Sequence, residues 1–142
     1  MDVTQLPFNR LIGLELADSD SGGLVRLPDG PQYKNHLGTV HAGALLAVAE
    51  AGTGAFLSQQ FGDSTEFVPV VRKVEMKFRR PASGAVYARC KVQPDAVIRW
   101  SDELATRGRV SAEISVEVVD ATGVAAAAGV VEWFISKSTR SV

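Results

Sequence analysis

Glu50 is the residue whose type and surroundings most suggest chemistry. It is the only ionisable side chain between His41 and Asp63, in a stretch made largely of Ala, Gly, Leu and Val. A carboxylate in so apolar a segment costs free energy when it is buried, unless it has a partner or a chemical role. Either an Arg from a neighbouring strand pairs with Glu50, or the carboxylate belongs to a reactive site.

The start of the same stretch offers a complementary group. The sequence predicts a polar loop followed by a helix that runs to about Gln60, with Thr39 as its N-cap. His41, Ala42 and Gly43 then fall in the first turn. Amide groups there have no intrahelical acceptor and lie at the positive end of the helix dipole. A carbonyl oxygen placed against these amides would be polarised.

The remaining elements must hold this helix. Before it, the pattern predicts a short helix over 4–12 and a hairpin over 13–28; after it, an amphipathic helix opens at Pro94 and ends at Gly108. Alternation of apolar and polar residues predicts strands over 73–79, 86–92, 110–118 and 124–136. The last strand is apolar on both faces, so it is central or covered by a partner subunit. A long apolar helix and an antiparallel sheet must bury one another, which predicts one α+β domain over residues 1–142.

Composition argues against several functional classes. The 142 residues carry a formal net charge of −1 with no basic block, so nucleic-acid binding has no electrostatic support. Cys90 is the only cysteine and alternates with Val and Ala, which predicts a core position and neither a disulfide nor a metal cluster. The stretch from Val40 to Leu57 contains Glu50 and many small residues, which favours a buried helix over a membrane span. The first residues lack a signal-peptide pattern, so a cytoplasmic protein is expected.

One motif and the layout together resemble a known family. Asn35 is followed six positions later by His41-Ala42-Gly43, and Glu50 comes nine positions after the His. This pattern resembles the hotdog-fold acyl-CoA thioesterases of the phenylacetate-pathway and 4-hydroxybenzoyl-CoA types, and also a hotdog domain family of undefined activity. The resemblance extends from about Phe8 to Lys137. It implies a curved antiparallel sheet wrapped around a central helix, in a homodimer or homotetramer that acts on acyl-CoA or another acyl thioester.

The same resemblance assigns roles to the candidate catalytic residues. The Ala42 amide would polarise the thioester carbonyl, and Gly43 would let the acyl group approach closely. Asn35 would orient the attacking water or the carboxylate, and His41 would shape the loop and hydrogen-bond near the carbonyl. Glu50 from the facing subunit would act as general base or nucleophile. A thioester has a good leaving group, so preorganised donors and one base can supply much of the catalysis without a metal or other cofactor.

Arg79 and Arg80 are the candidate substrate-binding cations. They lie together at the end of a predicted strand, before Pro81. Guanidinium groups suit phosphate oxygens, so this pair could bind the phosphates of CoA. The alternative is a solvated strand end.

Two departures from the family pattern keep other functions open. Ala42 stands at a usual Gly position, which predicts an altered acyl fit because its N–H is retained. The stretch Phe67–Val71 lacks the Ser or Thr that many relatives carry there. Both departures favour a non-catalytic acyl or CoA binder as the alternative. An enoyl-thioester hydratase fits less well, because nine helical residues separate His41 from Glu50 by about 13 Å. The sequence names neither the acyl group nor the thiol carrier.

Overall fold

The chain builds one antiparallel sheet and one long helix, in a computed structural model that describes residues 1–62 and 65–139. The helices are α1 (Pro7–Leu11), α2 (Ala42–Phe61) and α3 (Pro94–Arg107). The strands are β1 (Glu15–Leu16), β2 (Val25–Leu27), β3 (Phe67–Phe78), β4 (Val86–Lys91), β5 (Arg109–Asp120) and β6 (Ala125–Lys137). The predicted α+β class is confirmed.

The sheet has the order β1-β2-β4-β5-β6-β3, and each neighbouring pair is antiparallel. The last strand, β6, lies between β5 and β3, so its two apolar faces reflect a central position. The edge strand β3 begins at Phe67, six residues before the predicted start. Most of β3 is exposed on both faces, so its first half lacks the alternation that marks a half-buried strand.

The core lies between the sheet and α2. The inward positions of β5 are buried, whereas its intervening residues are exposed. The helix meets the sheet through small residues that include Ala51, Gly52 and Ala55. A Cβ atom on Gly52 would lie only 2.3 Å from the Cβ of Ala88 on β4. The absence of a side chain at Gly52 therefore sets how closely the long helix approaches the sheet.

The flanking helices agree with the sequence in part. The α3 helix is confirmed: Trp100 and Leu104 are buried, and Gly108 ends it with a positive φ. The predicted helix over 4–12 is instead divided into a 3₁₀ turn (Val3–Gln5) and α1. The division falls before Pro7, because the residue preceding a proline is disfavoured in the helical region; that residue is extended here.

Candidate active site

The Glu50 side chain lies in the middle of α2 and is half-buried. Burial raises the pKa of its carboxyl above the ordinary value of 4.5. Within residues 1–62 and 65–139, no cation pairs with this carboxylate and no donor hydrogen-bonds to it. The alternative, a structural carboxylate held by a neighbouring Arg, is therefore not supported, because no Arg of the described residues pairs with Glu50.

The first turn of α2 is capped by His41. Its Nδ1 accepts the Gly43 N–H at 2.8 Å, so the prediction of Thr39 as N-cap is wrong. The His41 carbonyl accepts the N–H groups of Ala44 and Leu45 at 2.9 and 3.1 Å. Among the described residues, the Ala42 N–H is left without an acceptor, and Ala42 is exposed. One amide at the positive end of the helix is therefore free to receive a hydrogen bond acceptor.

Asn35 holds the turn that leads into this helix. Its Oδ1 accepts the backbone N–H groups of Leu37 and Thr39 at 2.9 and 3.1 Å. Its Nδ2 donates to the Thr39 hydroxyl at 3.0 Å, which explains why that hydroxyl does not cap the helix. Such Asx-type closure fixes a turn locally. The second amide hydrogen of Asn35 has no acceptor among the described residues.

Two further hydrogen bonds fix where the helix begins. The His41 N–H donates to the Tyr33 carbonyl at 2.7 Å, and the Val40 N–H donates to the Ala82 carbonyl at 2.8 Å. The second bond ties the start of α2 to the turn between β3 and β4. Beside it lies a pocket of about 110 Å³, lined in part by Tyr33, Lys34 and Ser83. Sequence reasoning missed this pocket because its walls come from segments that are distant in the chain.

Arg79 and Arg80 follow the end of β3 and precede that same turn. Both are exposed, and their backbone N–H groups share the Ala126 carbonyl at 2.8 and 3.2 Å. Neither guanidinium forms an ion pair within the described part of the chain. The main chain is therefore fixed at this point while both cationic side chains face solvent. Arg80 lies two residues from Ala82, which contacts the loop into α2.

One chain does not bring the carboxylate and the free amide together. Eight residues separate Ala42 from Glu50 on one straight helix, which is roughly 12 Å along its axis. Spacings of four place Ala42, Leu46 and Glu50 on one side of α2. On this side Ala42 is exposed, Leu46 is 38% exposed and Glu50 is half-buried. The two reactive groups thus share a partly exposed helix surface without reaching each other.

Other candidate chemistries find less support. Burial raises the pKa of the Cys90 thiol to about 12, so the thiol is protonated at neutral pH, and the partly buried side chain packs against the core. Residues 1–62 and 65–139 contain no cluster of His, Cys, Asp and Glu side chains suited to a metal ion. No helix within that part of the chain is both long and apolar enough to cross a membrane.

Several solved structures share the fold of this chain, and some of them are described as thioesterases. A Pseudomonas aeruginosa protein described as a probable thioesterase is 26% identical, with a TM-score of 0.80 over 96% of this chain and 91% of its own. A Staphylococcus aureus thioesterase variant is 16% identical, with a TM-score of 0.70 over 92% of this chain and 99% of its own. A Bacillus halodurans protein solved with CoA is 21% identical, with a TM-score of 0.60 over 78% of this chain and 65% of its own.

These likenesses confirm the hotdog fold that the sequence resemblance implied. No curated protein matches the chain. The sequence family described as Domain of unknown function (DUF4442) matches residues 4–135, which is nearly the whole chain. The chain therefore belongs to the DUF4442 family, with the hotdog fold of the thioesterase superfamily.

Proposed function

We propose that this protein hydrolyses acyl-CoA thioesters at a site formed between two copies of the chain. The observation that carries the proposal is the half-buried, unpaired Glu50 carboxylate on the same helix surface as the free Ala42 amide. A base and a preorganised donor are the two groups that acyl transfer from a thioester needs. The thioesterase description of the Pseudomonas aeruginosa and Staphylococcus aureus proteins supports this class of reaction.

A two-fold dimer would join the two groups. In such an interface, residue i of one copy contacts residue j of the other, and j contacts i. If two α2 helices cross antiparallel, Ala42 of each copy lies opposite Glu50 of the other when the axis passes at Leu46, which is midway between them in sequence. Leu46 is 38% exposed in one chain, as a residue on such an axis would be before assembly. Two equivalent sites result.

The edge strand β3 supports pairing of two copies. It runs for 12 residues, no strand of the described residues pairs with its outer side, and Val68, Val70 and Val71 are exposed large apolar residues. A long apolar edge is a template for pairing with another strand, and proteins usually cover it. A second copy of the chain would cover it and continue the sheet.

The reaction uses the chain's own groups. The Ala42 N–H donates to the carbonyl oxygen of the thioester and stabilises the negative charge that develops there. The Glu50 carboxylate of the facing copy removes a proton from water as the water oxygen bonds to the carbonyl carbon. The C–S bond then breaks, and the proton passes from Glu50 to the departing sulfur. Asn35 orients the water through its remaining amide hydrogen. His41 holds the first turn so that the Ala42 N–H points outward.

CoA is the thiol carrier we propose. The exposed Arg79 and Arg80 supply two guanidinium groups for phosphate oxygens, close in the chain to the turn that contacts the helix start. The Bacillus halodurans protein of similar fold was solved with CoA, which supports this choice over a carrier protein.

Free thiol release from a panel of acyl-CoAs tests the proposal. Glu50→Gln should lower kcat by about 10²- to 10⁴-fold, the usual contribution of a general base. Ala42→Pro replaces the amide hydrogen by a ring carbon without disturbing the helix start, because proline is tolerated at the first helical position and His41 already has the extended conformation that proline requires. Its expected loss is about 10²- to 10³-fold. Equal rates for the wild type and Glu50→Gln would remove the assigned role of Glu50.

Mixing the two variants tests whether the site is shared. A dimer of one Glu50→Gln chain and one Ala42→Pro chain contains one intact pair of groups and one doubly defective pair. Activity should therefore return when the two inactive proteins are unfolded together and refolded. No recovery in mixed dimers, verified by differently tagged chains, would contradict a site that is built from two copies.

A non-catalytic acyl or CoA binder is the second candidate. The absence of a hydroxyl in Phe67–Val71 and the Ala at position 42 favour it. Tight retention of CoA or acyl-CoA with no turnover across the panel would select this function. The hydratase alternative is weaker, because the Nδ1 of His41 is occupied by the helix cap. Absence of water addition to an enoyl-CoA would exclude it.

A further inference from the structure

A chain of two hydrogen bonds through the buried Thr53 hydroxyl connects the Glu50 main chain to strand β6 of the sheet. Thr53 lies one helical turn after Glu50 and is 0% exposed. Its hydroxyl donates to the Glu50 backbone carbonyl at 2.8 Å and accepts the indole N–H of Trp133 at 2.8 Å. Trp133 lies on β6 and is 8% exposed. The two bonds therefore join the helical turn that carries the carboxylate directly to β6.

The middle of the helix needs such a connection because its packing surface there is smooth. Between the larger buried side chains of Val48 and Leu57, it packs through small residues that include Ala51, Gly52 and Ala55, which have little or no side chain to interlock with the strands. Dispersion contacts between small groups are weak and not directional, so they oppose separation better than they oppose sliding. A hydrogen bond has a preferred distance and angle, and so it can fix one position along the helix axis.

On the sheet, this connection ends at β6, the strand next to the edge strand β3. Trp133 pairs with Ala112 on β5 and with Val71 on β3. Val71 belongs to the exposed edge strand where a second copy is proposed to dock. The Thr53 hydroxyl thus fixes the position of Glu50 along the helix axis relative to β6 and β3, the strands nearest the proposed partner.

We infer that Thr53 and Trp133 are positioning residues that set the place of the Glu50 carboxylate relative to the facing copy's Ala42 amide. The inference rests on the proposed hydrolase function. A catalytic group must be held within about 0.5 Å of its productive position. A slip of one residue along the helix is already about 1.5 Å. Both side chains are buried, so their proposed role is to position Glu50 and not to contact the substrate.

Thr53→Val tests the inference with little change of shape. It removes both hydrogen bonds, and we expect kcat to fall by about 10- to 100-fold with KM changed less than about twofold, because a misplacement of about 1 Å can reduce the rate by that order. The midpoint of the rate-versus-pH profile should move as well, because the burial of Glu50 changes. Thr53→Ser keeps the hydroxyl and should restore both the rate and the profile.

A double variant separates positioning from simple stability. Thr53→Val alone leaves the Trp133 N–H buried without an acceptor, and Trp133→Phe alone leaves the Thr53 hydroxyl without its donor. Thr53→Val with Trp133→Phe removes both members, so its melting temperature should fall by less than the sum of the single changes. Its kcat should stay low. Recovery of kcat in step with stability would overturn the inference and assign the pair a structural role.

Failure of the inference is distinguishable from failure of the proposed function. If Glu50→Gln hydrolyses acyl-CoA as fast as the wild type, the proposed function fails, whatever the Thr53 variants do. If Glu50→Gln is inactive while folded Thr53→Val keeps the wild-type kcat and pH profile, only the positioning inference fails. If Thr53→Val does not fold, Trp133→Phe provides the same comparison.

Discussion

Replacing Gly52 by Ala should destabilise the protein, although Ala is the better helix former. The added Cβ would lie 2.3 Å from the Cβ of Ala88, whereas carbon atoms pack at about 3.5–4.0 Å. Both atoms are attached directly to the main chain, so the helix or the strand must move by more than about 1 Å. Overpacking of this kind costs about 1–3 kcal/mol, and the gain in helix propensity offsets about 1 kcal/mol. The expected net loss is up to about 2 kcal/mol.

Gly54→Ala is the matched control in the same helix. Its added Cβ would meet the Trp133 ring at 3.5 Å, an ordinary contact, so the helix propensity gain of about 1 kcal/mol should remain. Thermal unfolding followed by circular dichroism measures both changes, at one protein concentration because an oligomer's melting temperature depends on it. For 142 residues, 1 kcal/mol corresponds to about 3 °C.

The melting temperatures of the two glycine variants should therefore shift in opposite directions. Gly52→Ala should melt up to about 6 °C lower than the wild type, and Gly54→Ala about 3 °C higher. Adding Ala88→Gly to Gly52→Ala removes the colliding methyl group and should recover part of the loss. If Gly52→Ala proved as stable as Gly54→Ala, the helix would not lie as close to β4 as the structure has it.

Three further predictions concern charge and capping. Because burial raises the pKa of Glu50, its protonated carboxyl stabilises the fold below pH 4.5, and this contribution is lost as the pH rises through the folded-state pKa. Glu50→Gln should therefore be more stable than the wild type at pH 7. The difference between their urea midpoints should close towards pH 4.5. His41→Ala removes the acceptor of the Gly43 N–H and should cost about 1 kcal/mol, while His41→Asn should retain most of the stability; equal urea midpoints for the two would contradict the cap. Arg79→Ala with Arg80→Ala should raise KM for acyl-CoA with kcat little changed, an effect that shrinks at high salt; an unchanged KM at low salt would remove the phosphate assignment.

The groups at the candidate site were largely visible in the sequence because they are local. An isolated carboxylate in an apolar helix and the start of that helix are properties of neighbouring residues, so Glu50 and Ala42 could be identified by position. The predicted N-cap was wrong because two side chains able to accept a hydrogen bond, Thr39 and His41, lie two residues apart. Thr39 is the better cap by residue type, but Asn35 engages its hydroxyl, which leaves the role to His41.

The relations between distant segments were not visible in this way. The bond between Thr53 and Trp133 joins residues 80 positions apart, and neither residue type requires the other. The early part of β3 was missed for a related reason. Alternation marks a strand with one buried face, and residues 68–72 lie on an edge where neither face is covered in one chain.

The turn before α2 has a consequence for how such a protein can diversify. Asn35 closes the turn by itself, through bonds to the main chain and hydroxyl of Thr39 and to the N–H of Leu37. The side chains of His36 and Leu37 at the tip are exposed and make no hydrogen bond within the described residues. Substitutions there would alter the exposed surface before α2 while leaving the amide of Ala42 in place. Related chains can thus change their substrate preference without changing the backbone amide proposed to polarise the carbonyl.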